Sequence, residues 1–224
     1  MTHLDVELKR LKEEKIEMFD LVISQLNKAK TAFLTMDKAL AREVNFNEKR
    51  VNALELKIDK DCENIFALFN PVAIDLRFVL AVLKINSNLE RIGDIADGIS
   101  RYVAETEEAF DTELLQVTRL EEMWTTAIEM LTEVQKAFDA DDAKLSRGVF
   151  KKDDLLDEIN GNANDVIEQY IKAHPDKIRQ ALHIVSAIRK LERTGDQTKN
   201  IAEEIIFFLE AKVLKHLSEK AKSE

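Results

Sequence analysis

The sequence LERIGD at residues 89–94 returns as LERTGD at residues 191–196, and each copy is followed at the same offset by an isoleucine, Ile99 and Ile201. The second copy begins 102 residues after the first, an interval of nearly half the 224-residue chain. Recurrence at a long interval indicates a duplicated structural unit. The chain is therefore predicted to contain two copies of one fold, each with acids, an arginine and a glycine at the same positions of the motif.

Helices dominate the predicted secondary structure. Charged residues make up 34% of the chain and hydrophobic residues 45%, with only 5 glycines and 2 prolines, so turns are few and helix formers abundant. Apolar residues recur at spacings of three and four, the period of an amphipathic helix. Six long helices are predicted: one ending near residue 37, then 47–69 with Asn47 as N-cap, 74–107, 113–138, 142–173 with a bend or break near Gly161, and a sixth ending near residue 217.

Two prolines and one acidic stretch mark the turns. Pro71 and Pro175 lie at similar distances ahead of the two motif copies, and each disfavours helix in the residue before it. Residues 105–113 are acidic and poor in large apolar side chains, which predicts the join between halves. Short connections between long helices give antiparallel neighbours. The predicted fold is all-α, a tandem repeat of two antiparallel three-helix bundles, with domains at 1–108 and 109–217 and a tail at 218–224.

The formal net charge of −10 bears on partners and location. It would repel the phosphates of nucleic acid and weaken attraction to anionic lipid, so no nucleic-acid partner is expected. Residues 1–7 lack the basic and apolar run of a signal peptide, and the longest uncharged apolar stretch, 64–74, is far shorter than the roughly 18 residues of a membrane span. Cys62 is the single cysteine, which excludes an internal disulfide. We expect a soluble, cytoplasmic protein without membrane insertion.

Acidic pairs four residues apart, one helical turn, occur in both motif copies and on the helix before each copy. With 43 acids such pairs arise by chance, but the repeated motif also keeps a mid-helix glycine that costs about 1 kcal/mol. Clustered carboxylates on adjacent helices supply the oxygen ligands that Mg²⁺, Mn²⁺, Ca²⁺ and iron prefer. The predicted ligands are Glu55, Asp59, Glu90 and Asp94 in the first half and Asp153, Asp157, Glu192 and Asp196 in the second.

A metal-free role for these acids is the alternative. They could pair with nearby arginines, or the arginines could bind an anion such as phosphate. The rise of about 1.5 Å per helical residue adds a constraint. The two acidic pairs of the second half lie level across their helices, whereas those of the first half are offset by roughly 10 Å unless residues 70–74 form an extended loop, which is therefore expected. The arginines concerned are Arg77, Arg91, Arg179 and Arg193.

The motifs resemble those of the PhoU family of phosphate-transport regulators. The resemblance rests on both motif copies, on ELKID at residues 55–59, on DLR at 75–77 and on IIFF at 205–208. It implies tandem three-helix bundles whose paired acidic motifs, here the eight carboxylates named above, bind metal ions such as Fe, Zn, Mn or Mg. It also implies a negative regulator of the phosphate-starvation response, which couples the ATPase subunit of the phosphate-specific ABC transporter to the phosphate-sensing histidine kinase. A homodimer is expected, because dimers are common among helical regulators.

Other functional classes fit the sequence less well. A di-metal carboxylate enzyme would also carry acids within a helical bundle, but that class uses Glu-x-x-His, and here no histidine lies three residues after a glutamate. No nucleophile with an adjacent base is recognisable either, so no enzyme is expected. A regulator of a different phosphate permease, and a metal-free helical scaffold, remain alternatives.

Overall fold

The computed structural model describes residues 2–214, which form helices connected by short turns and contain no strand. Within this described part of the chain there are six long helices, as predicted, together with two short ones. The first three long helices pack against one another, as do the last three, so the all-α prediction of two three-helix bundles is confirmed. The helices are α1 His3–Thr35, α2 Lys38–Phe69, α3 Ala73–Glu105, α4 Thr112–Val117, α5 Leu120–Ala140, α6 Ala143–Arg147, α7 Val149–Ala173 and α8 Ile178–Glu210, with a 3₁₀ turn at Pro175–Lys177.

Helix α2 begins well before its predicted start. Met36 adopts a left-handed backbone conformation (φ 56°) that ends α1, and the Asp37 carboxylate then accepts hydrogen bonds from the backbone N–H groups of Ala39 and Leu40. These bonds satisfy two of the unpaired donors of the first helical turn. The prediction of Asn47 as the N-cap is wrong, because Asp37 starts the helix and it continues through Asn47 without interruption.

The breaks in the second half also differ from the prediction. Arg119 takes a left-handed conformation (φ 53°) and separates α4 from α5, and Gly148 separates α6 from α7. Gly161, where a bend or break was predicted, lies inside α7. A mid-helix glycine costs about 1 kcal/mol but keeps its backbone N–H, so the helical ladder passes through it. The predicted break was therefore placed at the wrong glycine.

The two motif-bearing helices, α3 and α8, pack antiparallel across the middle of the molecule. The Lys84 ammonium lies 3.0 Å from the Glu204 carboxylate, and the hydroxyl oxygens of Tyr102 and Ser186 are 2.5 Å apart. All four residues lie nine positions from the glycine of the motif on their own helix. The contacts are therefore symmetric about the two motif glycines, and the halves are related by an approximate twofold axis at that level.

A second contact joins α1 to α5. The rings of Phe33 and Trp124 have centroids 5.6 Å apart, and those of Phe19 and Phe138 are 5.8 Å apart. These rings are fully buried and belong to one continuous apolar core that spans both bundles. The two repeats therefore share a core.

Helix α8 is shorter than predicted. Ala211 adopts a left-handed conformation (φ 56°) that ends it after Glu210, and residues 211–214 are not helical. Residues 215–217, which the prediction placed in this helix, and the tail at 218–224 lie outside the described residues. The segment between α3 and α4 falls within the join predicted at 105–113, while the domain limits themselves stay a prediction. Among residues 2–214, no helix is both long and apolar enough to cross a membrane.

Candidate functional site

The glycine of the second motif allows a buried carboxylate to approach α8. A Cβ placed on Gly195 would lie 2.6 Å from Oδ1 of Asp153 and 2.7 Å from Cδ2 of Leu156. Both distances are shorter than real Cβ contacts, so any larger residue would force the side chains of Asp153 and Leu156 to shift. Asp153 is buried, and among residues 2–214 its Oδ1 has no hydrogen-bond partner. The motif glycine therefore leaves room for Asp153 between the two helices that carry the second group of predicted ligands.

The first motif glycine has the same kind of neighbour. A Cβ placed on Gly93 would lie 3.1 Å from Oε2 of Glu48 and 3.2 Å from Cγ1 of Val51. In both halves, then, the glycine faces an acid and, three residues later, an apolar side chain on the preceding long helix. Packing therefore equates Glu48 with Asp153. Sequence reasoning missed Glu48, because the same spacing of an acid and an apolar residue also occurs at Glu55 and Ile58.

This equivalence explains the offset found in the sequence. If Glu48 corresponds to Asp153, then Asn52 corresponds to Asp157, and Glu55 lies seven residues further along α2 than Glu48. Seven residues of helix span about 10 Å, which is the size of the mismatch between the predicted pairs. The connection between α2 and α3 contains only the three residues 70–72, so the extended loop expected at 70–74 is not formed and the offset is real.

Four carboxylates nevertheless lie near one another in the first half, and we call them the first cluster: Glu48, Glu55, Glu90 and Asp94. Burial raises the pKa of Glu90, and the charges of Asp94 and Glu55 raise it further. Burial likewise raises the pKa of Glu48 to about 7, with contributions from Asp94 and Glu90. Oε1 of Glu48 is buried and has no hydrogen-bond partner in the described part of the chain. Within residues 2–214, none of the four forms an ion pair, so no contacting cation offsets their mutual repulsion.

Asp59, the remaining predicted ligand of the first half, is held by a different network. The Asn86 amide donates to Oδ1 of Asp59 at 2.7 Å and to the backbone carbonyl of Glu55 at 2.9 Å. The carbonyl oxygen of the same amide accepts from the Lys15 ammonium, which is fully buried. Burial lowers the pKa of Lys15 to about 7. Asp59 is therefore tied through Asn86 to α1.

The second half brings all four of its predicted ligands near one another and adds a cation. We call Asp153, Asp157, Glu192 and Asp196 the second cluster. The Lys199 ammonium forms ion pairs with Oδ2 of Asp153 and, at 3.0 Å, with Oδ1 of Asp196. Burial alone would lower the pKa of Lys199, but the hydrogen bond and charge of Asp153 outweigh it and raise the pKa. Sequence reasoning missed Lys199, although its position three residues after Asp196 on one helix was visible.

Among the described residues, the arginines near the motifs form no ion pairs with these acids. In the part of the chain that the structure describes, no carboxylate lies within ion-pair distance of any of them, and the Arg77 guanidinium instead donates to the backbone carbonyl of Phe208 at 3.3 Å. The ion pairs that the metal-free alternative requires between these arginines and the motif acids are therefore absent from the described residues. The arginines concerned are Arg77, Arg91, Arg179 and Arg193.

The two clusters differ in how well they fit a metal ion. Among residues 2–214, no three His, Cys, Asp or Glu side chains already surround a common point as metal ligands, so a cation would have to draw them together by side-chain rotation. The first cluster fits a hard cation, since it offers only oxygen donors, holds the unpartnered Oε1 of Glu48 and has no counter-charge in ion-pair contact. The second cluster fits poorly, because the ammonium group of Lys199 occupies two of its carboxylates.

Comparison with known proteins matches both halves of the chain to one family. The family profile described as PhoU domain matches residues 16–103 and again residues 120–205, so each match contains one motif copy. The phosphate-specific transport system accessory protein PhoU homolog 1 of Thermotoga maritima is 30% identical over 95% of this chain and 91% of its own length. The phosphate-specific transport system accessory protein PhoU of Escherichia coli is 31% identical over 95% of this chain and 88% of its own.

Solved structures agree with the sequence matches. The crystal structure of PhoU from Pseudomonas aeruginosa superposes with a TM-score of 0.85 at 30% identity, and covers 94% of this chain and 100% of the other. The phosphate transport system regulatory protein PhoU from Streptococcus pneumoniae superposes with a TM-score of 0.82 at 26% identity, and covers 94% of this chain and 99% of the other. Sequence and fold therefore agree over nearly the whole chain, and the protein belongs to the PhoU family.

Proposed function

We propose that this protein is an accessory protein of phosphate transport that negatively regulates the phosphate-starvation response. The proposal is carried by the match of the PhoU domain to both halves, residues 16–103 and 120–205. Relatives at 30–31% identity that are named phosphate-specific transport system accessory proteins align over nearly the full chain, which supports a shared role. The similar protein from Streptococcus pneumoniae is described as a regulatory protein of phosphate transport, which supports regulation as that role.

In the finer form of this proposal, the protein couples the ATPase subunit of the phosphate-specific ABC transporter to the phosphate-sensing histidine kinase. It would act in the cytoplasm as a homodimer and reduce kinase signalling when phosphate is plentiful. The net charge of −10 favours protein partners over nucleic acid. A regulator of a different phosphate permease is the alternative.

Deletion of the gene tests the regulatory role. In the host that encodes this chain, the deletion strain should express phosphate-starvation genes in phosphate-rich medium, and the wild-type gene on a plasmid should restore repression. Normal repression in the deletion strain would contradict the proposal. If phosphate uptake through another permease changed at the same time, the accessory role for that permease would be favoured.

We further propose that the carboxylate clusters are the metal sites of this protein. The first cluster, with Asp59 beside it, would bind a divalent or iron-type cation such as Fe, Zn, Mn or Mg, because its oxygen donors are partly buried, repel one another and form no ion pair within residues 2–214. Burial and repulsion together raise the pKa of Glu90, and a bound cation would relieve the repulsion. The second cluster has the same predicted ligand types but already holds an ammonium group. Its predicted ligands are Asp153, Asp157, Glu192 and Asp196.

Elemental analysis tests the metal proposal. The double variant Glu90→Gln/Asp94→Asn should lose metal after equilibration with Mn²⁺ and desalting. The matched control is Glu13→Gln/Glu17→Gln, which removes an exposed acidic pair with the same spacing from α1. Equal metal content in the two double variants would rule out Glu90 and Asp94 as ligands.

A further inference from the structure

The two halves carry opposite charges at one equivalent position. Lys199 lies seven residues after Glu192 of the second motif, as Asp97 lies seven residues after Glu90 of the first. Asp97 is buried, accepts a hydrogen bond from the Asn45 amide at 2.5 Å and pairs with Arg101 at 2.5 Å. Its negative charge adds to the effect of burial in raising the pKa of Glu48 in the first cluster. At this position, therefore, the first half adds an anion to its cluster and the second half adds a cation.

The ammonium group of Lys199 is built into the second cluster. It bridges α7 and α8 by contacting one oxygen of Asp153 and, at 3.0 Å, one oxygen of Asp196. The Lys199 side chain is 15% exposed and that of Asp153 is 4% exposed, so water screens the pair weakly. A metal ion bound by the same two carboxylates would have to displace the ammonium and then stand beside a like charge. The second cluster thus carries its own counter-ion.

The first cluster has no such group. Within residues 2–214, Glu48, Glu55, Glu90 and Asp94 form no ion pair, and the buried ammonium of Lys15 is hydrogen-bonded to Asn86 instead. Glu48 is over nine-tenths buried, and its Oε1 has no hydrogen-bond partner among the residues that the structure describes. The second cluster therefore already contains a bound ammonium group, whereas the first cluster has carboxylates without a cation in contact in the described part of the chain.

We infer that Lys199 closes the second cluster to metal, so that this chain loads metal ions in its first half alone. The inference rests on the proposed metal binding and narrows it to one half. In the second half the Lys199 ammonium takes the place of the metal ion. It links α7 to α8 through its ion pairs with Asp153 and Asp196.

Metal content of variants tests the inference on the full chain. The protein is equilibrated with Mn²⁺, desalted, and analysed for bound metal by elemental analysis and native mass spectrometry. In the wild-type background, Asp196→Asn should leave the metal content unchanged, whereas Glu90→Gln/Asp94→Asn should reduce it to background. Lys199→Gln should roughly double the metal content, and adding Asp196→Asn to it should remove the gain. Lys172→Gln is the matched control, since Lys172 pairs with Glu168 on an exposed face and its loss should change nothing.

The outcomes separate this inference from the proposal on which it depends. Loss of metal in the wild-type background on Asp196→Asn would mean that the second half loads despite Lys199, which overturns the inference and leaves metal binding intact. No gain in Lys199→Gln also overturns it, provided that circular dichroism shows the variant folded. If that variant unfolds, the wild-type background decides: unchanged metal content in Asp196→Asn supports the inference, and loss of metal overturns it. Absence of metal from both the wild type and Lys199→Gln would overturn the metal proposal together with the inference.

Discussion

Gly195 and Asp153 are in direct contact across the interface of α7 and α8, so that a Cβ at position 195 would lie 2.6 Å from the carboxylate oxygen. The contact explains why a glycine stands at this position of α8, although its low helix propensity alone would be unfavourable there. It also places the unpartnered Oδ1 of Asp153 against the helix backbone, while the other oxygen reaches Lys199. Gly195 thus contacts Asp153, and Asp153 in turn contacts Lys199, so the position of each residue depends on the others.

Gly195→Ala should lower stability, and Gly161→Ala should raise it. Both glycines lie inside helices, where alanine gains about 1 kcal/mol of helix propensity. At Gly161 no atom of residues 2–214 outside the local helix lies within 4 Å of the added Cβ, so that gain is realised. At Gly195 the Cβ would meet Asp153 and Leu156 at 2.6 and 2.7 Å, and forcing an extra methyl group into a packed interface costs about 1–3 kcal/mol. Urea unfolding of the two variants measures the difference, and equal stabilisation of both would show that the contact yields without cost.

Lys199→Met should destabilise the protein because it leaves Asp153 buried without its partner. Removing one member of a buried pair costs about 3–5 kcal/mol, and the partial exposure of Lys199 favours the lower end. Adding Asp153→Asn should recover part of the loss, since the uncompensated charge is then gone. A double-mutant cycle measured by urea unfolding in EDTA gives the coupling free energy. Additive losses would show that the two side chains do not interact.

The fold was predictable from the sequence because its determinants recur. Helical periodicity, two proline turns and the duplicated motif each repeat, so the number of long helices and the tandem arrangement follow from pattern alone. Helix starts are less accessible, since a single side chain decides them. Asp37 caps α2 ten residues before Asn47, although Leu40 and Val44 between them keep a helical spacing of four from which the helix could have been extended backwards.

The candidate site was predictable only in part. A search for acids four residues apart finds Glu55 and Asp59, but it passes over Glu48, because Asn52 stands where the second half has Asp157. Only the packing of Glu48 against Gly93 reveals the correspondence. Whether a lysine reaches across to the preceding helix, as Lys199 does, also depends on how closely the helices approach, which a one-dimensional pattern does not specify.

Glu48→Gln should remove a pH dependence from the stability of the metal-free protein. Burial raises the pKa of Glu48 from its ordinary 4.5 to about 7, so the folded state holds a proton that the unfolded state has released between these values. The contribution of Glu48 to stability is fully present below pH 4.5 and is lost as the pH rises through 7, by up to about 3 kcal/mol. The unfolding free energy of wild type relative to Glu48→Gln, measured in EDTA from about pH 4.5 to 7.5, should therefore fall with pH. A flat difference would contradict the raised pKa.

Lys15→Met should reveal a pH dependence of the opposite sign at higher pH. Burial lowers the pKa of Lys15 from 10.5 to about 7, so between these values the unfolded state binds a proton that the folded state lacks. The stability contributed by this lysine therefore increases as the pH rises from 7 towards 10.5, by at most about 1.4 kcal/mol per pH unit. Methionine removes the titration at similar side-chain length, but Asn86 loses its donor, so the two proteins are compared by slope rather than by absolute stability. Unfolding free energies in EDTA from about pH 7 to 9.5 should rise more steeply for the wild type than for Lys15→Met, and parallel slopes would mean that Lys15 keeps its ordinary pKa.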